Sequence, residues 1–185
     1  MDVLAQLDEL GPLLGGVVGG IGPDDLDEPT PCAQFAVRGV LEHMISGATT
    51  FAAAFRGIEP APTAPVGDVL AGFGPALTEL ASAIGTAGAL DQTITAPFGE
   101  VSGETFARFV VLDGLVHGWD LAIATGQGYH PSSALVAEAH AFAEGALDGL
   151  RDGDTFAGAN AAPRSATAIE RLAAYTGRTV SDLPR

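Results

Sequence analysis

The chain has 185 residues, of which 47% are apolar and 6% aromatic, and its formal charge is −15 with no lysine among its eight basic residues. Its length and apolar content suit one domain, residues 1–185, with a sizeable aliphatic core. The negative charge opposes binding to nucleic acid or to anionic membrane surfaces, and the lack of lysine excludes Schiff-base chemistry. One cysteine, Cys32, cannot form an internal disulfide. The sequence also has no apolar run near the roughly 20 residues needed to span a bilayer. The single cysteine and the lack of such a run predict a cytoplasmic protein.

Helical periodicity dominates the first half of the chain. Apolar residues recur at steps of three and four from Leu4 to Ile21, which predicts a first helix loosened by four glycines. A second helix is predicted over residues 37–56. The proline-rich connector at 57–65 ends it, and a third helix follows over 69–84.

The second half continues the helical pattern after one interruption. Residues 92–102 are interpreted as a loop or a short irregular hairpin. Ser102 is the predicted N-cap of a fourth helix that ends near Thr125, and a fifth helix is predicted from Pro131 to Leu150. A short helix over 165–175 completes the chain. The expected fold is all-α, a four-helix bundle with extra C-terminal helices.

Two polar residues, Asp113 and His117, interrupt the very apolar fourth helix. Their spacing of four places a carboxylate and an imidazole on one face, the face expected to point into the core. His43 lies on the inward line of the second helix. An intrahelical hydrogen-bonded pair would explain Asp113 and His117 alone. With His43 added, the two imidazoles and one carboxylate suit zinc, nickel or ferrous iron and leave coordination positions open.

Four other residues carry weaker signals. Asp120 follows His117 by about one helical turn. It could accept a hydrogen bond from a metal-ligating imidazole and orient it, or it could be a surface acid or the partner of an arginine. The spacing alone does not distinguish these roles. His130, in a proline-containing loop, is expected to be exposed. His140 is expected in a surface pair and is the reserve ligand. Cys32 is interpreted as a small buried apolar residue.

Three stretches of the sequence resemble one known family. Residues 29–44 include the segment PTPCAQF and then His43, residues 98–122 include the segment HGWD, and residues 171–178 form the third stretch. Over nearly its whole length the chain resembles the metal-binding domain of mycothiol-dependent maleylpyruvate isomerases. The terminal stretch is similar to the closing segment of small stand-alone members.

The resemblance implies a DinB-like four-helix bundle in which three side chains hold a divalent metal ion. The family's first histidine falls on His43, and its Glu-x-x-x-His pair falls on Asp113 and His117. In relatives that are enzymes, the metal ionises a low-molecular-weight thiol such as mycothiol, and the thiolate attacks an electrophile. This chain departs from the pattern in having Asp113 where glutamate is usual, and Ala36 and Gly39 in place of capping-box residues. It also has no room for the isomerase's additional C-terminal domain.

Together these observations predict a metal-dependent thiol S-transferase or isomerase-like enzyme acting on a small electrophile. Zinc is the expected ion, with nickel or iron as alternatives. A non-enzymatic metal- or ligand-binding bundle is the second hypothesis, and a ferrous oxygenase is the third. The expected partner is a small-molecule substrate or thiol, and a homodimer is left open as an assembly.

Overall fold

The structure, a computed structural model, describes residues 1–60, 65–96, 98–151 and 157–180. Over these residues the chain forms six α-helices and one β-hairpin, so the predicted all-α class is confirmed. In chain order the elements are α1 (Val3–Gly19), α2 (Val37–Phe55), α3 (Val69–Ile84), β1 (Thr93–Ala96), β2 (Gly99–Ser102), α4 (Gly103–Ala124), α5 (Ser133–Ala146) and α6 (Ala168–Tyr175).

The first four helices form the bundle. α2 packs along α3 and α1 packs along α4, and contacts of α1 with α3 and of α2 with α4 close the arrangement. α5 and α6 pack against each other and against α4. From Gly114 to Ala122, every residue of α4 is buried. Polar side chains on this part of α4 therefore lie at the centre of the molecule, where they need partners.

The predicted buried face of α1 is confirmed from Leu10 onward, where Leu10, Leu14 and Val17 are buried. Only the first turns differ, because the predicted inward side chain of Leu4 is 43% exposed. Val3 and Gln6 are buried there instead. Gln6 can be buried there because its side-chain amide donates a hydrogen bond to the carbonyl of Met1 at 3.0 Å.

The last two helices are shorter than predicted. α5 ends at Ala146 rather than at Leu150; the next residue, Leu147, is buried, and a short 3-10 turn (Asp148–Leu150) follows it. α6 begins after Thr167 rather than at residue 165. Thr167 and Glu170 form a capping box, and these reciprocal hydrogen bonds fix the start of the helix.

The start of α2 has no side-chain cap because Ala36 occupies the N-cap position. The N–H groups of Val37 and Arg38 instead donate to the carbonyls of Glu28 and Leu26, at 3.0 and 2.9 Å. The preceding loop therefore satisfies two of the amides that a helix leaves without internal partners. These bonds also hold the loop against α2.

β1 and β2 form an antiparallel hairpin that leads directly into α4. The two strands pair from Thr93 with Ser102 to Ala96 with Gly99. The φ of +121° at Gly99 lies in a region that favours glycine. Ser102 ends β2, and its hydroxyl accepts the N–H of Thr105, so it caps α4 as the sequence predicts.

Residues 61–64 of the predicted connector and Pro97 of the predicted loop or hairpin lie outside the described residues, as do residues 152–156 and 181–185. Among the described helices, none combines the length and the apolar character needed to cross a membrane. One cluster of buried side chains joins the bundle, the hairpin and the C-terminal helices.

Candidate metal centre

α2 and α4 bring the three predicted ligands together. Asp113 Oδ1 lies 3.6 Å from Nε2 of His43 and 3.4 Å from Nε2 of His117. One donor atom from each of these three residues lies within 4.8 Å of the other two. Asp113 and His117 are stacked one turn apart on α4, and His43 faces them from α2. Residues far apart in sequence therefore converge on one point.

The burial of the three side chains differs from the sequence prediction. His117 is buried, with 6% of its side chain exposed, but His43 and Asp113 expose 42% and 40%. His43 lies on the predicted inward face of α2, but its side chain faces a cavity and not packed side chains. Solvent therefore reaches the three donor residues (His43, Asp113 and His117, called the donor set) from the side of His43, and protein covers them on the side of His117.

A buried ion pair lies behind His117. Asp120 is fully buried, and its Oδ2 atom lies 3.0 Å from Nδ1 of His117. Arg178, from the segment after α6, donates to the same oxygen from Nη2 at 2.9 Å. Asp120 therefore combines two of the roles considered from the sequence, orienting an imidazole and pairing with an arginine, and it is not a surface acid.

Asp120 faces one ring nitrogen of His117, and Asp113 faces the other. A carboxylate accepts hydrogen bonds, so Nδ1 of His117 donates to Oδ2 of Asp120, 3.0 Å away. The Nε2 atom lies 3.4 Å from Oδ1 of Asp113. A proton on Nε2 makes His117 an imidazolium that pairs with Asp113, and a metal ion bound by Nε2 and Asp113 would take the place of that proton.

The ionisable groups of the site perturb one another. The Asp113 carboxylate raises the pKa of His43, although burial opposes this. For Asp113 itself, burial alone would raise the pKa, but the charge of His117 and the contact with His43 outweigh burial and lower it. Burial is the main cause that raises the pKa of Cys32, and Arg178 only partly opposes it. The Cys32 thiol therefore remains protonated at neutral pH.

The donor set lines a cavity of about 580 Å³ between α2, α4, the hairpin and the segment after α6. The Phe35 ring stacks on the His43 imidazole, with 5.5 Å between the ring centroids. Much of the remaining wall is aromatic, formed by Phe51, Phe98, Phe106 and Phe109. A small molecule with apolar parts could therefore bind beside the three donors.

The sequence predicts no functional role for two residues of this cavity, Cys32 and Arg178. Cys32 is half-buried, and its sulfur lies within 4.8 Å of donor atoms of His117 and Asp120. The lone-cysteine pattern suggests a buried apolar residue, but the loop before α2 places the thiol on the cavity wall. Arg178 lies so far along the chain from Asp120 that no local spacing links them.

The other histidines lie elsewhere. His130 is exposed, as its loop position predicts. His140 packs against the ring of Tyr175, with 5.3 Å between the ring centroids. Neither joins a group of metal-ligating side chains among the residues that the structure describes. His140, the reserve ligand, is therefore not needed, because His43, Asp113 and His117 lie together without it.

The fold and the site define a helical-bundle protein with a candidate metal centre between facing helices. Residues 7–122 match the model of the mycothiol maleylpyruvate isomerase N-terminal domain, and the chain belongs to this family within the DinB-like superfamily. The matched segment contains His43, Asp113, His117 and Asp120, whereas Arg178 lies beyond it.

The chain is also similar to two uncharacterized proteins of Mycobacterium tuberculosis, from strain CDC 1551 / Oshkosh and strain H37Rv. Each is 32% identical over 184 residues, which cover 97% of this chain and 100% of the relative. The similarity therefore extends through α5 and α6. No solved structure matches the chain significantly.

Proposed function

We propose that this protein binds one divalent metal ion through His43, Asp113 and His117. The spacing of the donor atoms carries the proposal. Two ligand atoms about 2.0–2.2 Å from a tetrahedral zinc ion lie about 3.4 Å from each other. The Asp113 oxygen lies 3.4 and 3.6 Å from the two imidazole nitrogens. Two histidines and one carboxylate suit zinc, nickel or ferrous iron and leave a position for a further ligand.

The proposed activity is metal-dependent thiol S-transfer or isomerisation of a small electrophile. When bound, such an ion lowers the pKa of a coordinated thiol or water and supplies a nucleophile at neutral pH. Asp120 holds the His117 ring with Nε2 toward the site, and Arg178 neutralises Asp120. The aromatic wall provides apolar surface beside the reacting groups, against which an apolar part of the electrophile can pack.

Mycothiol is the thiol that we propose, because the family to which the chain belongs is named for it. The cytoplasm is the proposed compartment, since low-molecular-weight thiols are kept reduced there. Zinc is the proposed ion because it binds imidazole and carboxylate ligands in tetrahedral geometry without redox chemistry of its own.

Metal analysis tests the first part of the proposal. Protein purified without chelator is expected to contain about one equivalent of metal, and His117→Ala is expected to lose most of it because the best-buried ligand is gone. His130→Ala is the matched control, since this exposed imidazole lies outside the donor set. Full metal content in His117→Ala would refute the site.

Conjugation assays test the second part. Metal-loaded protein and chelator-treated protein are mixed with mycothiol or glutathione and a series of small electrophiles. Loss of free thiol measures conjugation, and chromatography of the electrophile measures isomerisation, in which the thiol is released again. Turnover that requires the metal supports the enzyme. Metal binding without turnover for any pair would assign the chain instead to the non-enzymatic binding bundles.

A further inference from the structure

The cavity of about 580 Å³ has two chemically different ends, and the donor set lies between them. Along the cavity wall, at steps of three and four residues, α4 carries Phe106, Phe109, Asp113 and His117. At a rise of about 1.5 Å per residue, Phe106 lies about 10 Å before Asp113 along the helix axis, and Asp120 lies about 10 Å after it. The two ends are therefore separated by several side-chain widths.

The end before Asp113, called the aromatic end, has walls of phenylalanine rings contributed by Phe51, Phe98, Phe106 and Phe109. The Phe51 ring from α2 meets the Phe106 ring edge-on, with 5.0 Å between the centroids. The Phe98 ring from the hairpin lies 4.7 Å from the Phe109 ring. All of these rings except Phe106 are partly exposed. Since water gains few hydrogen bonds beside them, this end favours an apolar occupant.

The end beyond His117, called the polar end, is built by the loop before α2 and the segment after α6. Outside the donor set, every polar side chain that lines the cavity in the described residues comes from these two segments, namely Cys32, Gln34, Thr176, Arg178 and Thr179. Arg178 pairs with Asp120, and the Cys32 sulfur lies within 4.8 Å of donor atoms of His117 and Asp120. These contacts place the polar end on the opposite side of the donor set from the phenylalanine rings.

The size of the cavity suits a ring at the aromatic end. An apolar cavity of about 150 Å³ already holds benzene. A volume of about 580 Å³ therefore has room for a one-ring aryl group and for further atoms at the donor set and the polar end. Edge-to-face and offset contacts between rings add about two- to ten-fold in affinity beyond the burial of area, so phenylalanine walls select a ring over a saturated group.

We propose that the aromatic end binds an aryl group of the electrophile and that the polar end binds the hydrogen-bonding part of the thiol. The two reactants then meet at the donor set from opposite sides. This arrangement rests on the proposed function, but binding of the aryl group requires no metal. With benzyl chloride, the thiol sulfur bonds to the benzylic carbon and the carbon–chlorine bond breaks. Chloride leaves with the electron pair, and the thiol proton passes to solvent.

The first test compares benzyl alcohol with cyclohexylmethanol in metal-free protein, with binding followed by NMR titration. Phe109→Leu is expected to weaken benzyl alcohol binding by about two- to ten-fold and cyclohexylmethanol binding by less, because leucine keeps apolar surface but makes no ring contacts. Phe98→Leu serves if the first variant does not fold. Phe73→Leu is the matched control, since this buried ring lies on α3 outside the cavity.

Phe73→Leu is expected to leave both affinities unchanged. No binding of benzyl alcohol, or equal weakening of both alcohols in Phe109→Leu, would overturn the aryl assignment. The same ring-selective loss in Phe73→Leu would also overturn it, because the effect would then not belong to the aromatic end.

The second test measures KM for each reactant in zinc-loaded protein, with mycothiol as the thiol and benzyl chloride as the electrophile. Phe109→Leu is expected to raise KM for benzyl chloride by about two- to ten-fold and to leave that for mycothiol unchanged. Gln34→Ala, at the polar end, is expected to do the reverse, through the loss of a hydrogen bond. Turnover in which each variant changes both KM values equally would overturn the opposed arrangement and leave the proposed function standing. Ring-selective binding in a protein that binds no zinc would support the aromatic end and refute the metal centre.

Discussion

At the scale of single residues, Asp113 and Asp120 show how position decides the role of identical side chains. Both lie on α4, but Asp113 is partly exposed and faces two imidazole nitrogens. Asp120 is fully buried and neutralised by Arg178. The Asp113 carboxylate faces the two imidazole nitrogens and lines the cavity, whereas Asp120 accepts hydrogen bonds from His117 and Arg178.

The Arg178–Asp120 pair leads to a prediction about stability and affinity. Arg178→Met leaves Asp120 as a buried charge without its partner, and we expect the free energy of unfolding to fall by about 3–5 kcal/mol. Zinc affinity is expected to fall by about 10–100-fold, because Arg178 no longer fixes the Asp120 carboxylate that orients the His117 ring. Urea titration measures the first effect and competition with a chelator measures the second.

Arg164→Met is the control for this prediction, because Arg164 is exposed. It is expected to change stability by less than about 0.5 kcal/mol. The double variant Arg178→Met/Asp120→Asn removes both charges and should regain part of the lost stability. Unchanged stability and zinc affinity in Arg178→Met would show that the pair does not act on His117.

The pKa of His43 gives a prediction for metal-free protein. The Asp113 carboxylate raises this pKa above the ordinary value of 6.5. A group with a raised pKa in the folded chain stabilises the fold below its ordinary pKa, and this contribution is lost as pH rises through the folded-state value. NMR titration of the imidazole C–H signals is expected to show a midpoint above 6.5 that falls in Asp113→Asn. A midpoint unaffected by Asp113→Asn would contradict the account.

The sequence predicts the direction of the three donor side chains but not their surroundings. Helical spacing placed His43, Asp113 and His117 on facing lines, and the structure brings their donor atoms together. Periodicity carries no information on whether a face meets packed side chains or a cavity, which is why the burial of His43 and Asp113 was overestimated. Arg178 was missed because its pairing depends on how the terminal segment returns to α4.

At the scale of elements, the start of α2 is held by the backbone of the preceding loop and lacks a side-chain cap. Ala36→Ser supplies a hydroxyl that can accept the N–H of Gly39, the third residue of the helix. We expect the free energy of unfolding to rise by about 0.5–1 kcal/mol. The gain is at the low end because Val37 and Arg38 already donate to loop carbonyls. Urea titration measures it.

Ala33→Ser is the matched control, since Ala33 is exposed in the same loop but is not the N-cap residue of α2. It is expected to change stability by less than about 0.5 kcal/mol. A loss of stability in Ala36→Ser would show that the added hydroxyl disturbs the isolated β-bridge between Pro29 and Ala36. The hydroxyl would then fail as a cap.

Helix bounds were predicted best where a local chemical feature marks them. Ser102 caps α4 as expected because its hydroxyl acts within three residues. The Thr167 and Glu170 spacing likewise marks the start of α6, although the interpretation of residues 165–175 did not use it. The end of α5 and the exposure of Leu4 depend on packing against other helices, which local sequence does not specify.

At the scale of the whole molecule, the formal charge of −15 on an 18.6 kDa chain predicts self-repulsion in the folded state. Raising the NaCl concentration from about 0.01 M to about 0.15 M shortens the screening length from about 30 Å to about 8 Å. We expect metal-free protein at pH 7 to gain about 1 kcal/mol, seen as a rise of about 2–4 °C in unfolding temperature. A constant or falling unfolding temperature would contradict this.

The central claim is that one divalent ion binds between α2 and α4 through His43, Asp113 and His117. Diffraction from zinc-soaked crystals on both sides of the zinc absorption edge tests it most directly. The account predicts one anomalous peak bounded by Nε2 of His43, Nε2 of His117 and Oδ1 of Asp113, at about 2.0–2.2 Å from each. Zinc bound elsewhere, with no peak among these three atoms, would contradict it.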